Sequence, residues 1–461
     1  MSFHSFKSDR AFDPMSKQLI TNARVVNEGS IRDVDVLITG GRIQRVDTQI
    51  PADAATDIMD AGGRYLLPGL IDDQVHFREP GLTTKADINS ESAAAVAGGV
   101  TSFMEMPNVN PPTVTFARVE QKNALARGRS HANYAFYLGA TNDNQDEILT
   151  LQPNQVCGLK VFMGASTGNM LVDNPETLAT IFAGCPVPVV THCEDTPTIL
   201  RNEQIYRQRY GEDVPIRCHP EIRSVEACYK SSSLAVKLAK ENGTRLHVLH
   251  LSSARELELF GNNALEEKRI TVEACVHHLF FDERDYANQG ALIKCNPAIK
   301  STADREALLT AVVDGRIDVI ATDHAPHTLE EKQRSYFNAP SGLPLVQHSL
   351  QTLLEHYHRG RFSLELIVEK ACHAPAKLFS IRERGFVREG FWADLVLVDL
   401  DRPHTVTRDN IRYKCGWSPF EGYTFQSSIV ATFVNGQQAY GDGEILAPPS
   451  GQLLTFSRPP G

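Results

Sequence analysis

The sequence predicts a (β/α)8 TIM-type barrel joined to a small β-sandwich domain that is built from both ends of the chain. Between about residues 66 and 385, short apolar strands alternate with helical segments, which is typical of a parallel sheet. Eight such strands can be counted, the number that a barrel of this type requires. The two flanking regions instead alternate short β-type runs with turns. A doubly wound parallel sheet remains the alternative.

The flanking regions predict one composite β-sandwich from residues 1–65 and 386–461. The first region contains the runs "LITNARVVN" and "VDVLITGGRIQRV", and the second contains "ADLVLVDLD" and "SIVATFVNGQQAYG". In the last run, Asn435-Gly436 is a strong signal for a two-residue hairpin turn. The closing segment "LAPPSGQLLTFSRPPG" is expected to be a surface tail.

The central region, residues 66–385, supplies the predicted barrel strands in chain order: "GLIDDQVHF", "GVTSFMEM", "ANYAFYLG", "CGLKVFM", "VPVVTHC", "RLHVLHL", "ITVEACVHH" and "RIDVIATDH". One intervening helix is clearly bounded. Ser224 is a favourable N-cap residue, and Asn242-Gly243 is a typical helix end. This region is therefore predicted to be the catalytic barrel.

Bulk composition excludes several function classes. A net charge of −10 with interspersed charges gives no basic surface for nucleic acid. No apolar run approaches the roughly 18 residues of a membrane span, and the N-terminus lacks the apolar core of a signal peptide. The nine cysteines form no CxxC pair, which is typical of reduced thiols. We expect a cytoplasmic protein without nucleic-acid or membrane partners.

Polar residues close several of the predicted strands, and in a barrel the carboxyl ends of the strands form the active site. Those residues are Gln74 and His76 on the first strand, Lys160 on the fourth, His192 on the fifth, His250 on the sixth, and Asp323 with His324 on the eighth. Residues two apart on a strand face the same side, so Gln74, His76 and Asp72 are expected in one row. Together these side chains predict a site for a divalent transition metal such as zinc.

Seven motifs, in order, resemble those of the amidohydrolase superfamily and, within it, the dihydroorotases. They are "HFREPG" at 76–81, "MPNVNPP" at 106–112, "KVFMGASTGNM" at 160–170, "HCED" at 192–195, "HVLHLSSA" at 247–254, "NPAIK" at 296–300 and "ATDHAPH" at 321–327. The overall pattern is similar to that of the bacterial class I-like cyclic amidohydrolases. Nearly the whole chain takes part in the resemblance, including "GFVREGFWADLVLVD", where the chain returns to the β domain.

The resemblance implies a binuclear metal centre, with Zn²⁺ as the expected metal. His76 would serve one metal, His192 and His250 the other, and Lys160, carboxylated by carbon dioxide to a carbamate, would bridge them. With Gln74 beside His76 as a candidate ligand, one or two Zn²⁺ ions per chain are expected. Asp323 would be both a metal ligand and the general base, acting with a metal-activated hydroxide.

The resemblance also implies a small-molecule substrate with a carboxylate. Arg78 would bind that carboxylate, with Asn108 and His327 nearby, and Asn296 would contact the ring. The implied reaction is the reversible cyclisation of N-carbamoyl-L-aspartate to L-dihydroorotate in de novo pyrimidine biosynthesis. Dimers are common in the superfamily, so a homodimer is expected by analogy.

Gln74 departs from the family pattern, which has histidine at this position, and Val276 stands where a proline is common. Glutamine is a weaker, neutral oxygen donor than imidazole. Three outcomes remain open: a site with both metals, a site with one metal, or a non-catalytic subunit that supports aspartate transcarbamoylase. Another cyclic amidase, of the hydantoinase or allantoinase type, is a further alternative.

Structural roles are the alternatives for individual residues. Arg78 could form a salt bridge at the barrel rim, and Lys160 could be paired with an acid. The remaining histidines near the site are expected to be packing or supporting groups: His247, His277, His278 and His324.

Overall fold

The computed structural model describes residues 17–54, 56–164 and 170–458. The N-terminal segment 1–16 and positions 165–169 of the "KVFMGASTGNM" motif lie outside the described residues. The described chain begins with five strands: β1 Lys17–Asn27, β2 Ser30–Thr39, β3 Arg42–Asp47, β4 Thr56–Asp60 and β5 Tyr65–Pro68.

The central region contains two parallel sheets, β6-β7-β8 and β9 to β14. Their strands are β6 Leu70–Val75, β7 Val100–Glu105, β8 Asn133–Phe136, β9 Leu138–Gly139, β10 Leu159–Phe162, β11 Val189–His192, β12 Leu246–Val248, β13 Ile270–Cys275 and β14 Val319–Ala321. All eight predicted strands are confirmed. Strand order follows the chain, unlike a doubly wound sheet, whose order reverses at a switch point.

The two parallel sheets touch at both of their ends. Tyr137 alone separates β8 from β9. At the other end, Val75 forms a parallel bridge with His324, and the backbone N–H of His76 donates to the His324 carbonyl at 2.7 Å. The first and eighth predicted strands are therefore neighbours.

Helices connect successive parallel strands: α1 Ile88–Ala97, α2 Phe116–Ala126, α3 Gln145–Leu149, α4 Pro175–Gly184, α5 Thr196–Tyr210, α6 His219–Ile222, α7 Val225–Asn242, α8 Val276–Phe280, α9 Tyr286–Gln289 and α10 Thr302–Val313. Four more lie between β14 and the C-terminal strands: α11 Leu329–Lys332, α12 Ser349–His358, α13 Leu364–Val368 and α14 Ala374–Leu378. The predicted ends of α7 are confirmed, because Ser224 accepts from Ala227 N and Gly243 is left-handed. Among the described residues, no helix combines the length and apolarity needed to cross a membrane.

Both ends of the chain share one nine-stranded sheet, in which β5 pairs antiparallel with β15. The C-terminal strands are β15 Leu395–Asp399, β16 His404–Thr405, β17 Thr424–Phe425, β18 Ser428–Val434, β19 Gln437–Gly441 and β20 Glu444–Ile445. The sheet runs β20-β19-β18-β15-β5-β1-β2-β3, with β4 on β1. At the β18–β19 hairpin, Asn435 and Gly436 both have positive φ, as the predicted turn requires.

The expectation of a C-terminal surface tail is wrong for the part that the structure describes. Leu454 and Phe456 are buried in the apolar core inside the parallel strands. Arg458 is 5% exposed and donates to the backbone carbonyls of Val156, Cys157 and Phe379, among others. The alternating apolar residues before Arg458 allow this packing, and the guanidinium satisfies carbonyls that would otherwise be buried without donors.

Candidate active site

A cleft of about 600 Å³, including its opening to solvent, lies at the carboxyl ends of the parallel strands. Nine of the ten predicted site residues line it: Gln74, His76, Arg78, Asn108, Lys160, His192, His250, Asn296 and Asp323. The tenth, His327, lies behind Arg78, whose Nη2 is 3.1 Å from His327 Nε2. Side chains from six strands are thus brought to one cleft, as expected for the mouth of a barrel.

Backbone conformation helps to direct three of these side chains. Arg78, His250 and Asp323 each have positive φ, at 69°, 40° and 51°. This left-handed region is unfavourable for residues with a Cβ atom and is often retained at functional sites. His250 and Asp323 both follow closely after the end of a strand, so the turn is made where the side chain must enter the cleft.

On one side of the cleft, ring nitrogens of two histidines lie within hydrogen-bonding distance of each other. His192 Nδ1 is 3.0 Å from His250 Nε2, and both residues are buried. His192 Nε2 is 3.1 Å from a carboxylate oxygen of Glu194, which also accepts from Arg223 at 2.6 Å. A carboxylate bound to one ring nitrogen fixes the tautomer that leaves the other nitrogen free for a metal.

Glu194 is suited to this supporting role because it stays ionised. Burial acts to raise the pKa of its carboxyl group, but the Arg223 charge and the His192 hydrogen bond more than offset this effect and lower the pKa to about 2. Glu194 therefore presents a permanent negative charge to the His192 ring.

Lys160 completes this side of the cleft. It is 1% exposed, and among the described residues its Nζ forms neither a hydrogen bond nor an ion pair, lying 4.6 Å from the centre of the Phe162 ring. Burial lowers the pKa of Lys160 to about 8. The alternative of a lysine paired with an acid is therefore not seen within the described chain. The uncharged amine is the form that reacts with carbon dioxide, and a lowered pKa increases its fraction.

The donor set on this side fits a divalent transition metal. His192 and His250 point ring nitrogens at one another, His250 Nδ1 is buried without a hydrogen-bond partner in the described chain, and Lys160 lines the same cleft. Imidazole nitrogens that are oriented by a carboxylate are typical of zinc sites.

The first-strand side is arranged differently. Gln74 Nε2 donates to Asp323 Oδ1 at 3.1 Å, and His76 Nε2 lies 3.1 Å from the same oxygen. Gln74 Oε1 is 3.8 Å from Cys275 Sγ. Gln74 and His76 thus hold the Asp323 carboxylate. The expected row of three donors is reduced to two, because the Asp72 carboxylate turns away to bond Thr322.

Arg78 offers a buried cation to the cleft. It is 6% exposed, and its Nε donates to the Pro326 carbonyl at 3.0 Å. Within the described ranges it forms no ion pair, so the salt-bridge alternative is not observed there. Burial lowers the pKa of Arg78 to about 10, which leaves it charged at neutral pH. A carboxylate is the natural partner for this guanidinium.

The two amide residues of the cleft differ in whether their side chains already have hydrogen-bond partners. Asn108 Oδ1 is buried and has no hydrogen-bond partner among the described residues. With its amide turned to the orientation that its neighbours favour, Asn296 is already engaged: its oxygen accepts from Arg223, and its nitrogen donates to the Cys295 carbonyl and to Ser341 Oγ. Asn108 is thus the more available of the two for a ligand.

Several polar groups near the cleft were missed by sequence reasoning. Glu194 lies inside the "HCED" motif, so a carboxylate two residues from His192 was an available signal. No local pattern in the sequence pointed to Arg223. Two buried groups of ligand-type side chains also lie outside the predicted set: Cys275, His277 and His278, and Asp73, His247 and Glu273. His324 has the expected supporting role, with Nε2 2.9 Å from Glu91.

The chain is similar to known cyclic amidohydrolases along nearly its whole length. It is 35% identical over 407 residues to a dihydroorotase of Halobacterium salinarum, covering 87% of this chain and 91% of that protein. It is 33% identical to an allantoinase of Solibacter usitatus, covering 95% and 97%. The solved structure of L-hydantoinase (dihydropyrimidinase) from Arthrobacter aurescens is 28% identical, with a TM-score of 0.89, covering 96% of this chain and 100% of that one.

A family match agrees with these similarities. Residues 65–439 match the family described as "Amidohydrolase family", which is most of the chain. This range contains every residue of the cleft described above. The chain belongs to the amidohydrolase family.

Proposed function

We propose that this protein is a metal-dependent dihydroorotase, which interconverts N-carbamoyl-L-aspartate and L-dihydroorotate in de novo pyrimidine biosynthesis. The observation that carries the proposal is the combination, in one cleft, of a carboxylate-oriented histidine pair with the buried, charged Arg78. The first group suits a metal, and the second suits the carboxylate of the substrate. The 35% identity to a dihydroorotase supports the same assignment.

The proposed architecture is a closed (β/α)8 barrel formed by residues 66–385. The sequential strand order, the Val75–His324 bridge and the single residue between β8 and β9 support closure. Residues 1–65 and 386–461 would form the β-sandwich domain, with β5 and β15 pairing as its seam.

Lys160, His192 and His250 would hold a Zn²⁺ ion, with Lys160 as a carbamate and Asp323 on the opposite side as a further ligand. Gln74 and His76 would serve a second metal if one binds. The metal supplies Lewis-acid chemistry when bound, polarising a carbonyl and lowering the pKa of water to about 7. Glu194 keeps the His192 ring in the binding orientation.

The chain's own residues then have distinct tasks. Arg78 binds the substrate carboxylate and, with Asn108, fixes the ring in the cleft. Asp323 accepts the proton of the attacking water and delivers it to the ring nitrogen as the C–N bond breaks. Gln74 and His76 orient the Asp323 carboxylate for both transfers. In the reverse direction Asp323 removes the proton from the carbamoyl nitrogen.

The experiment that tests this function measures turnover and metal content on the same purified sample. Dihydroorotate and N-carbamoyl-L-aspartate are the expected substrates, and allantoin, hydantoin and 5,6-dihydrouracil are the comparison set. Turnover of dihydroorotate well above that of the comparison set is expected. Faster turnover of an uncharged cyclic amide would contradict the assignment and favour the second candidate, a cyclic amidase of the allantoinase or hydantoinase type, which the 33% identity to an allantoinase supports.

A non-catalytic role is tested in the same sample. Protein that stays inactive after zinc and bicarbonate are added would instead be examined for binding to aspartate transcarbamoylase. The homodimer also stays a prediction, and sedimentation of the purified chain tests it.

A further inference from the structure

A second buried group of ligand-type side chains lies below the cleft, between the parallel strands. Asp73 comes from β6, His247 from β12 and Glu273 from β13, and all three are fully buried. From the sequence, His247 was expected to be a packing or supporting residue, and neither acid was singled out. None of the three lines the cleft.

The spacing of these atoms is long for charge-assisted hydrogen bonds. His247 Nε2 lies 3.4 Å from Asp73 Oδ2 and 3.4 Å from Glu273 Oε2. Charge-assisted N–H···O bonds usually span about 2.7–2.9 Å. By contrast, two ligands of a tetrahedral metal with bonds of about 2.0–2.1 Å lie about 3.3–3.4 Å apart. The two separations from His247 match edges of such a tetrahedron.

The His247 ring is oriented as a metal ligand would be. Its Nδ1 is 2.8 Å from Thr271 Oγ1, and that hydroxyl donates its own proton to the Leu246 carbonyl at 3.2 Å. In this arrangement the hydroxyl accepts from Nδ1–H, and Nε2 faces the two carboxylates. Burial acts to lower the pKa of His247, but the two carboxylates more than offset this effect and raise it to about 9, so that a proton lies on Nε2 when no metal is bound. A cation bound between these groups would displace that proton and take the Nε2 lone pair.

The Asp73 carboxylate also lacks other partners. Both oxygens of Asp73 are buried without a hydrogen-bond donor in the part of the chain that the structure describes. Over the same residues, neither Asp73 nor Glu273 forms an ion pair with lysine or arginine. One divalent cation balances both acids in their charged forms, whereas a proton on His247 balances only one, and burial together with the Asp73 charge raises the pKa of Glu273 to about 7. Uncompensated buried charge is strongly unfavourable.

We propose that Asp73, His247 and Glu273 bind one divalent transition-metal ion such as Zn²⁺, at a site separate from the catalytic cleft. One nitrogen and two carboxylate oxygens form a ligand set that zinc accepts, with a fourth position left for water. The inference goes beyond the proposed function, because it would hold for any substrate of the cleft.

The proposed site has a route by which a metal ion could enter, and it has a structural role. His247 and Thr271 line a cavity of about 910 Å³, including its opening to solvent, on the opposite side from the cleft. Towards the cleft, Glu273 Oε1 accepts from the backbone N–H of His250 at 3.0 Å. A metal here would fix Glu273 and, through it, the left-handed turn that presents His250 to the cleft.

The experiment uses the full-length chain with the cleft metal site disabled by Lys160→Ala and His192→Ala. Metal-free protein is titrated with Zn²⁺ and with Co²⁺, and binding is followed by metal content, by the Co²⁺ visible spectrum and by thermal unfolding. We expect about one ion per chain and a higher melting temperature with metal. Adding Asp73→Asn should weaken binding by at least about 10-fold, because a ligand is lost.

Asp72→Asn is the matched control, since Asp72 is the neighbouring buried carboxylate but is bonded by Thr322. It should leave the stoichiometry unchanged. If Asp73→Asn does not fold, His247→Gln takes its place. A cleft-disabled chain that retains no metal in excess Zn²⁺, or an Asp73→Asn variant that retains as much as its parent, would overturn the proposal and leave a proton-bridged ionic cluster.

Discussion

The two sides of the catalytic cleft differ in how their polar atoms are satisfied. On the side of the fifth and sixth strands, ring nitrogens of His192 and His250 face each other, with Glu194 behind them. On the first-strand side, Gln74 and His76 bond the Asp323 carboxylate directly. The histidine side leaves a buried ring nitrogen, His250 Nδ1, without a hydrogen-bond partner among the described residues, whereas the polar groups of the first-strand side bond one another.

This difference suggests what Gln74 does. A histidine at this position would offer a lone pair to a metal, whereas the glutamine amide supplies a donor to Asp323. Compared with the histidine of the family pattern, Gln74 would thus favour positioning Asp323, the proposed general base, over binding a metal.

Asp323→Asn should have the largest effect. It keeps the side-chain volume but removes the proton acceptor that Gln74 and His76 hold, so kcat for dihydroorotate should fall by about a thousandfold. Steady-state kinetics at a fixed metal content measure it. Unchanged turnover in a variant with normal circular dichroism would show that Asp323 is not the base.

Arg78→Ala should raise KM for dihydroorotate by about 100-fold, because charged hydrogen bonds to the substrate carboxylate are lost. The reaction with 5,6-dihydrouracil, which lacks that carboxylate, should change little. Arg78→Lys is the matched variant: it keeps the charge but loses the planar fork, and it should recover only part of the loss. Equal losses for both substrates would contradict carboxylate binding by Arg78.

Glu194→Gln should weaken metal binding on the histidine side by about 10- to 100-fold, since a neutral amide no longer fixes the His192 tautomer. Competition with a chromophoric chelator measures the affinity. Glu91→Gln is the control, because it alters a similar buried carboxylate–histidine pair, with His324, outside the cleft lining. Equal effects of the two variants would refute the orienting role of Glu194.

Gln74→His should have the smallest effect on turnover, and it tests most directly whether the first-strand side can bind a metal. It should raise the metal content of the cleft by up to one ion per chain, while kcat changes by only about a few-fold. Metal analysis and kinetics on one sample test this. A natural chain that is inactive and becomes active only with this substitution would instead indicate a non-catalytic subunit.

Much of the fold could be predicted from the sequence, since its signals are local. Periodic apolar residues mark the strands, Ser224 and Gly243 mark the ends of one helix, and Asn435-Gly436 marks a hairpin. Parallel strands present their carboxyl ends together, and the strand-end residues of the sequence do line one cleft, except for His324.

Local patterns in the sequence therefore specify the elements and the chemistry available at the strand ends. Which groups meet depends on the tertiary structure: Arg223 reaches Glu194, Gln74 donates to Asp323, and ligand atoms of Asp73, His247 and Glu273 lie within 4.8 Å of one another. The physical reason is that these contacts join distant strands and loops. Burial removes water from each polar group, so its partner depends on what packing places within about 3 Å, which no local pattern records.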